Sequence, residues 1–258
     1  MGNFNDQIAI ISGALGDIGF AIAQELARRG AGIGLCDIRP ESDGAAVIEQ
    51  FESICVRCRY DRVDVSHVDE VARWIDTVGQ SLGVPTLIIP NAAIVNVGGV
   101  REAKPELWEK ELQVNLSGAF YMAQAGAKRL LEHNKPGRIV FIGSWAAHAA
   151  HVQIPAYCAS KAGIRMLCKC LALELAPYNI LVNEVAPGYV DAGLTGQMFA
   201  KNPASRPAAQ ARVPTGQLIT AEEVARNVAF LCDPENRHMT GATLLMDGGL
   251  SLVTPAKK

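Results

Sequence analysis

The chain has 258 residues, 49% of them hydrophobic and 19% charged, with a formal net charge of −2. That length can bury a substantial core in one large α/β domain or two small ones. The near-neutral balance, without a long run of either sign, points away from nucleic acid and from an anionic membrane surface as partners.

Residues 1–6 lack a basic segment followed by an apolar one, so no signal peptide is expected. Asp6 also breaks the myristoylation pattern, which wants Ser or Thr there. Residues 7–12 read as a strand that runs into Ser12-Gly13-Ala14-Leu15-Gly16-Asp17-Ile18-Gly19, and a helix over 18–29 follows. A glycine turn between strand and helix is the setting a dinucleotide site requires. Backbone without side chains can approach a diphosphate, which then sits at the positive helix end. Gly13, Asp17, Ile18 and Gly19 are the candidate contacts. A second strand over 32–37 ends at Asp37, eighteen residues after Gly19. A carboxylate there accepts hydrogen bonds from adenosine ribose hydroxyls and repels a 2′-phosphate. That favours NAD(H) over NADP(H), although Arg39 is placed to reach a 2′-phosphate.

A helix near 42–51 precedes a strand near 54–63. Cys55 and Cys58 fall in that strand, where positions i and i+3 point to opposite faces. No second C-x-x-C completes a zinc set, so no metal is expected. The seven cysteines form no even framework and suit a reducing cytoplasm. Ser66-x-x-Asp69 opens the next helix with the look of a capping box. Residues 81–100 carry no charge, but Pro85, Pro90, Gly98 and Gly99 argue for a strand over 86–90 and a loop rather than a membrane span.

A long helix is predicted over 105–134, a strand over 138–144, a helix over 156–178 and a strand over 180–185. Tyr157 and Lys161 lie four apart in that second helix, on one face. There the ammonium stabilises the phenolate and lowers the phenol's pKa, and the tyrosine can exchange a proton with an alcohol or carbonyl oxygen near neutral pH. Ser144, thirteen residues upstream, can hydrogen-bond the same oxygen. Segment 191–219 holds Gly193, Gly196, Pro203, Pro207, Pro214 and Gly216 and little periodicity, and reads as a substrate loop or lid. Thr220-x-x-Glu223 caps a late helix, and 243–246 is a last strand. The βαβ repeat throughout predicts one Rossmann-type, doubly wound, mostly parallel sheet of about seven strands with helices on both faces.

Taken together, these motifs resemble the classical short-chain dehydrogenases/reductases over nearly the whole chain. Ser12, Gly13 and Gly19 match the family's T-G-x-x-x-G-x-G. Asp64-Val65 matches the pair placed around the adenine, and Asn91-Ala92 the core of N-N-A-G. Pro187-Gly188 matches the turn after strand six, and residues 245–249 the C-terminal strand and turn. Asn115, Ser144, Tyr157 and Lys161 match the catalytic four. The resemblance implies hydride transfer between NAD(H) and a secondary alcohol or ketone. In that scheme Tyr157 is acid and base, Lys161 tunes it and bonds the nicotinamide ribose, Ser144 holds the substrate oxygen, and Asn115 anchors a proton-relaying water. It also implies a homotetramer, with the helices around Asn115 and Tyr157 in the interface.

The chain departs from the pattern in several places. Asp17 stands where the family has a middle glycine; facing a diphosphate it would repel, so it is expected to turn away or cap the helix. Pro90 and Ala93 replace two residues of N-N-A-G, Gly143 stands before the serine, and Ala192 replaces a nicotinamide-contacting Thr. Thr195 or the backbone near Val190 would substitute. Asn96, Trp145, His148, His151 and Gln153 are the candidate substrate wall, with Ser144 and Tyr157, and their polarity suits a sugar or polyol. The rivals are a 3-oxoacyl carrier-protein reductase using NADPH, which Asp37 speaks against, and a silent nucleotide sensor, which the intact catalytic set speaks against.

Overall fold

The computed structural model describes residues 3–253. Met1-Gly2, on which the lipidation reading turns, lie outside them, as do residues 254–258. Seven strands form the sheet: β1 (Ile8–Ser12), β2 (Gly32–Asp37), β3 (Cys58–Arg62), β4 (Leu87–Ile89), β5 (Gly137–Ile142), β6 (Ile180–Pro187) and β7 (Thr243–Met246). They run parallel in the order β3-β2-β1-β4-β5-β6-β7. The direction of winding reverses between β1 and β4, which opens a crevice beyond their carboxyl ends.

Strand alternation decides which residue enters which core. Ala9 and Ile11 of β1, with Val140 and Ile142 of β5, pack towards α1 (Asp17–Arg28) and α9 (Ala221–Cys232). Ile8 and Ile10, with Ile139 and Phe141, pack towards α3 (Val68–Ser81), α5 (Gly118–Glu132) and α6 (Pro155–Leu175). With both faces covered, the strands read as continuous apolar runs rather than alternating ones. The capping box expected at Thr220 and Glu223 forms: Thr220 Oγ1 accepts from Glu223 N and Glu223 Oε2 accepts from Thr220 N.

Four local expectations need correction. The stretch 54–63 is not all strand: after α2 (Glu41–Glu52) the chain turns through Cys55 at φ 59°, and only Cys58 onward pairs. Ser66 and Asp69 make no capping box; Ser66 N and Oγ instead donate back to Asp64, and α3 has His67 at its N-cap. The long helix is interrupted: α4 (Pro105–Leu112) passes through a π-turn at Gln113–Ser117 into α5. Finally, the 191–219 excursion folds into two short helices, α7 (Gly193–Lys201) and α8 (Ser205–Arg212), whose glycines and prolines lie mostly at their ends. Among the described residues no helix is long and apolar enough to cross a membrane.

Candidate active site

The crevice is lined first by the turn between β1 and α1. Gly13 sits at φ 61°, and a Cβ there would stand 2.9 Å from Ala92 Cα; one on Gly19 would stand 2.4 Å from Gly13 O. Side chains are therefore excluded from the cradle where backbone meets backbone. Asn91 clamps this turn from β4, its Nδ2 donating to Ser12 O (2.9 Å) and Gly13 O (3.1 Å). Ser12 Oγ returns the tie by accepting from Asn91 N and Ala92 N, 3.1 Å each. Asn91 thus builds the cradle with its side chain. Ile18 follows in the first turn of α1 and packs partly buried on the core.

Asp37 ends β2 beside the cradle. Its Oδ2 accepts from Leu15 N (3.1 Å) and its Oδ1 from Arg39 N (3.2 Å), with the Arg39 Nε 3.4 Å away. Asp17 turns away, as expected, but caps nothing. It reaches across the crevice, and its Oδ2 accepts from Gly193 N at 2.7 Å. Asp64 loses solvent by burial, which raises its pKa, but the hydrogen bonds from Ser66 outweigh this and hold its carboxyl below the usual range. Val65 is buried and meets Gly118 of α5. Past Pro187, Gly188 N donates to Met246 O (2.9 Å), and Val190 bridges to Ile219, which roots the 191–219 segment.

Ser144, Tyr157, Lys161 and Asn115 converge across the crevice from that cradle. Ser144 follows β5 and its Oγ accepts from Ala146 N (3.1 Å). Tyr157 and Lys161 share one face of α6, with the Lys161 Nζ 5.5 Å from the Tyr157 ring centroid. The Nζ donates to Ile142 O at 2.8 Å. Asn115 is fully buried in the π-turn: Oδ1 accepts from Ile94 N (2.8 Å), and Nδ2 donates to Ile94 O (2.9 Å) and Ser160 Oγ (3.3 Å). Its side chain is thereby committed to joining the β4 loop to α6.

One electrostatic expectation is corrected. Tyr157 is not tuned downward; burial pushes it up to about 12, the Ser144 hydrogen bond offsets part of this, and the Glu111 charge adds to it. The ammonium that should lower it is turned to the Ile142 carbonyl. Lys161 itself is pushed down to about 8 by burial, against the opposing pull of Glu184 and Glu111.

The candidate substrate wall is partly spoken for. Asn96 donates from both N and Nδ2 to Glu111 Oε2, 2.9 Å each. His151 packs edge-on against Trp145 at 4.5 Å, and Trp145 against Tyr189 at 5.3 Å, with the Arg212 guanidinium over Tyr189. Burial and then Arg212 hold the His151 pKa below its usual value. Gln153 is exposed, but its carbonyl accepts from Gly98 N (2.8 Å) and joins the two loops. His148 is exposed. Among the described residues no cluster of three or more His, Cys, Asp or Glu is placed to hold a metal ion.

Sequence reasoning missed two fully buried carboxylates, Glu111 and Glu184. Glu184 Oε2 and Oε1 take the Arg165 guanidinium at 3.0 and 3.2 Å, Thr243 Oγ1 donates to Oε2 (2.7 Å), and Arg165 also donates to Ser144 O (3.3 Å). Signals existed for both. Glu111 lies four residues before Asn115, on its face of the helix, and Glu184 interrupts an apolar strand.

A family model described as enoyl-(acyl carrier protein) reductase matches residues 13–251. The chain is 31% identical to the 3-oxoacyl-[acyl-carrier-protein] reductase of Escherichia coli, covering 97% of this chain and 100% of that one. It is 32% identical to an uncharacterized oxidoreductase of Schizosaccharomyces pombe, covering 96% and 92%. Among solved structures, a gluconate 5-dehydrogenase of Burkholderia cenocepacia, in complex with NADP and tartrate, superposes with a TM-score of 0.91. That structure is 28% identical, and 98% of each chain is covered.

Proposed function

Because the chain belongs to the short-chain dehydrogenase/reductase family and is an oxidoreductase acting on a CH–OH group, we propose that it interconverts a secondary alcohol and a ketone with NAD(H), the substrate being a sugar or polyol. The observation that carries this reading is the grouping of Ser144, Tyr157 and Lys161 at the carboxyl end of β5, on the same sheet edge as the glycine turn after β1. The cradle fits a dinucleotide: Gly13 and Gly19 let the turn close tightly against Ala92 and Asn91, and the N-terminus of α1 supplies positive potential for a diphosphate. Asp64, Val65, Asn91, Ala92, Pro187, Gly188 and Val190 would complete that site. Asp37 would accept from ribose hydroxyls, and its charge favours NAD(H). When bound, the nicotinamide ring donates or accepts the hydride.

The chain's own residues handle the proton and the orientation. Ser144 holds the substrate oxygen. Tyr157 gives that oxygen a proton in the reductive direction and takes one in the oxidative direction. With its pKa pushed up to about 12 the phenol is protonated at neutral pH, which suits proton delivery to a developing alkoxide. Lys161 supplies the neighbouring positive charge. The polar wall of His151, Gln153 and the Asn96–Glu111 pair supports a hydroxylated substrate. A homotetramer accords with the outer side of α6, where Met166 and Leu173 are exposed. The free cysteines suit a reducing cytoplasm.

A second reading is reduction of a 3-oxoacyl thioester with NADPH, favoured by the identity to the Escherichia coli reductase. One panel separates them: secondary alcohols, sugars, sugar acids and a 3-oxoacyl thioester, each with NAD(H) and NADP(H), followed by reduced-cofactor absorbance. Sugar or polyol turnover with NAD(H) supports the first reading. Turnover of the thioester alone, with NADPH alone, replaces it with the second.

A further inference from the structure

Glu111 is a fully buried carboxylate whose two oxygens are treated differently. Oε2 accepts both N–H donors of Asn96, whereas Oε1 is buried and meets no hydrogen-bond donor. Such an oxygen is costly unless it has work to do or a partner that comes and goes. Glu111 also lines a cavity of about 40 Å³, with Gly98, Glu102, Lys104, Trp108 and Ala156, enough for an ordered water. Glu102 and Lys104 are exposed, so this cavity stands between the active site and solvent. The Glu111 charge acts on both Tyr157 and Lys161 of α6, and Lys161 is itself only 2% exposed.

The geometry points to Glu111 as the group through which the buried Tyr157–Lys161 pair exchanges protons with solvent, by way of this cavity. The inference rests on the active-site reading above. Oxidation of an alcohol to a ketone releases one proton besides the hydride. Tyr157 phenolate takes it from the substrate hydroxyl and becomes the phenol. Lys161, an ammonium throughout, takes up the phenol's proton as it gives up one of its own, and the phenolate is restored. The proton that Lys161 gives up reaches Glu111 Oε1 through a water admitted to the cavity, and the carboxylic acid then loses it to solvent. Reduction runs the same steps backwards. The charged and titratable groups around Glu111 are Tyr157 and Lys161 on α6, Glu102 and Lys104 across the cavity, and Glu184, which acts on Lys161 from β6. Burial raises the Glu111 pKa above the usual carboxylate value, and the Asn96 hydrogen bonds and then the Lys161 charge offset part of this. Glu111 acts through Lys161 and touches neither substrate nor cofactor.

Glu111→Gln keeps the shape and an oxygen acceptor for Asn96 but cannot carry the proton. With the best alcohol of the panel, it is expected to lose roughly tenfold or more in kcat. KM, cofactor affinity and melting temperature should stay near wild type. The solvent isotope effect on kcat should rise, because proton exit becomes limiting. Glu111→Asp should recover part of the rate. The substrate-free full chain gives a second readout: tyrosinate absorbance in wild type minus Tyr157→Phe isolates Tyr157, and its midpoint should fall in Glu111→Gln. An unmoved midpoint, or an unchanged isotope effect with kcat and KM altered together, would leave Glu111 as a mere anchor for Asn96 and overturn the relay. Tyr157→Phe in the same assay keeps the failures apart. Retained turnover there sinks the active-site assignment, whereas an inactive Tyr157→Phe beside a Glu111→Gln of wild-type rate and isotope effect sinks only the relay.

Discussion

Gly143 and Glu184 compete for one space: a Cβ on Gly143 would stand 1.8 Å from Glu184 Oε1. The missing side chain is thus the condition for a buried Glu184–Arg165 ion pair beneath Ser144. Gly143→Ala must displace a carboxylate that has three donors. The expected loss is about 3 kcal/mol, from overpacking and a disturbed buried pair. Denaturant unfolding of Gly143→Ala, Glu184→Ala and the double variant checks it. The double variant should lose less than the sum of the two, because one substitution vacates the space the other needs.

Lys161 makes stability rise with alkaline pH. Below about pH 8 both native and unfolded chains hold the proton, and the fold bears the cost of a buried ammonium. Between about 8 and 10.5 the unfolded chain still holds a proton that the native chain has released, so stability increases with pH by up to roughly 3 kcal/mol. Tyr157, pushed up to about 12, acts in the opposite sense only above its ordinary value of 10.0. Burial also raises the Cys36, Cys58, Cys168 and Cys232 thiols well above 9.0, and these act in the opposite sense above that value. The outcome to check is therefore relative: between pH 7 and pH 10, wild type should gain stability over Lys161→Met.

Asp37→Ser should move cofactor preference towards NADP(H). The carboxylate that would repel a 2′-phosphate is removed, and Arg39 is released from its contact with it. The ratio of dissociation constants for the two cofactors should change by at least about tenfold, or roughly 1.4 kcal/mol. An unchanged ratio would show that Asp37 serves only to hold the Leu15 amide.

Asp17→Ala removes the acceptor for Gly193 N and with it the tie between the cradle and α7. Faster proteolytic cleavage within residues 193–212 is expected. Asp17→Asn keeps an oxygen acceptor, so cleavage should stay slow, while cofactor binding should be equal or tighter without the negative charge near the diphosphate. Limited proteolysis and cofactor titration of both variants report on the two effects.

Tyr157→Phe should lose turnover by roughly 10²-fold or more while NAD(H) affinity holds. Steady-state kinetics beside a cofactor titration decides it, and a rate near wild type would remove the phenol from the mechanism.

The order of the seven strands, the glycine turn and the spacing of Tyr157 and Lys161 were legible in the sequence, whereas α7, α8 and the π-turn between α4 and α5 were not. Each of the legible features rests on local rules: apolar runs, turn residues and a helical period of 3.6. Thr220 and Glu223 were equally legible, because a capping box closes within four residues. Only the tertiary structure decided what the buried charges do. That Asp17 meets Gly193 across 176 residues, that Glu184 fills the space over Gly143, and that Glu111 is buried with Oε1 meeting no donor all depend on how separate elements dock. The same holds for the Tyr157 phenol. Its spacing to Lys161 promises a lowered pKa, but burial and the turn of the ammonium to the Ile142 carbonyl push it the other way. Spacing along a helix sets which side chains share a face; the dielectric and hydrogen-bond partners around them arise only when the sheet and helices close.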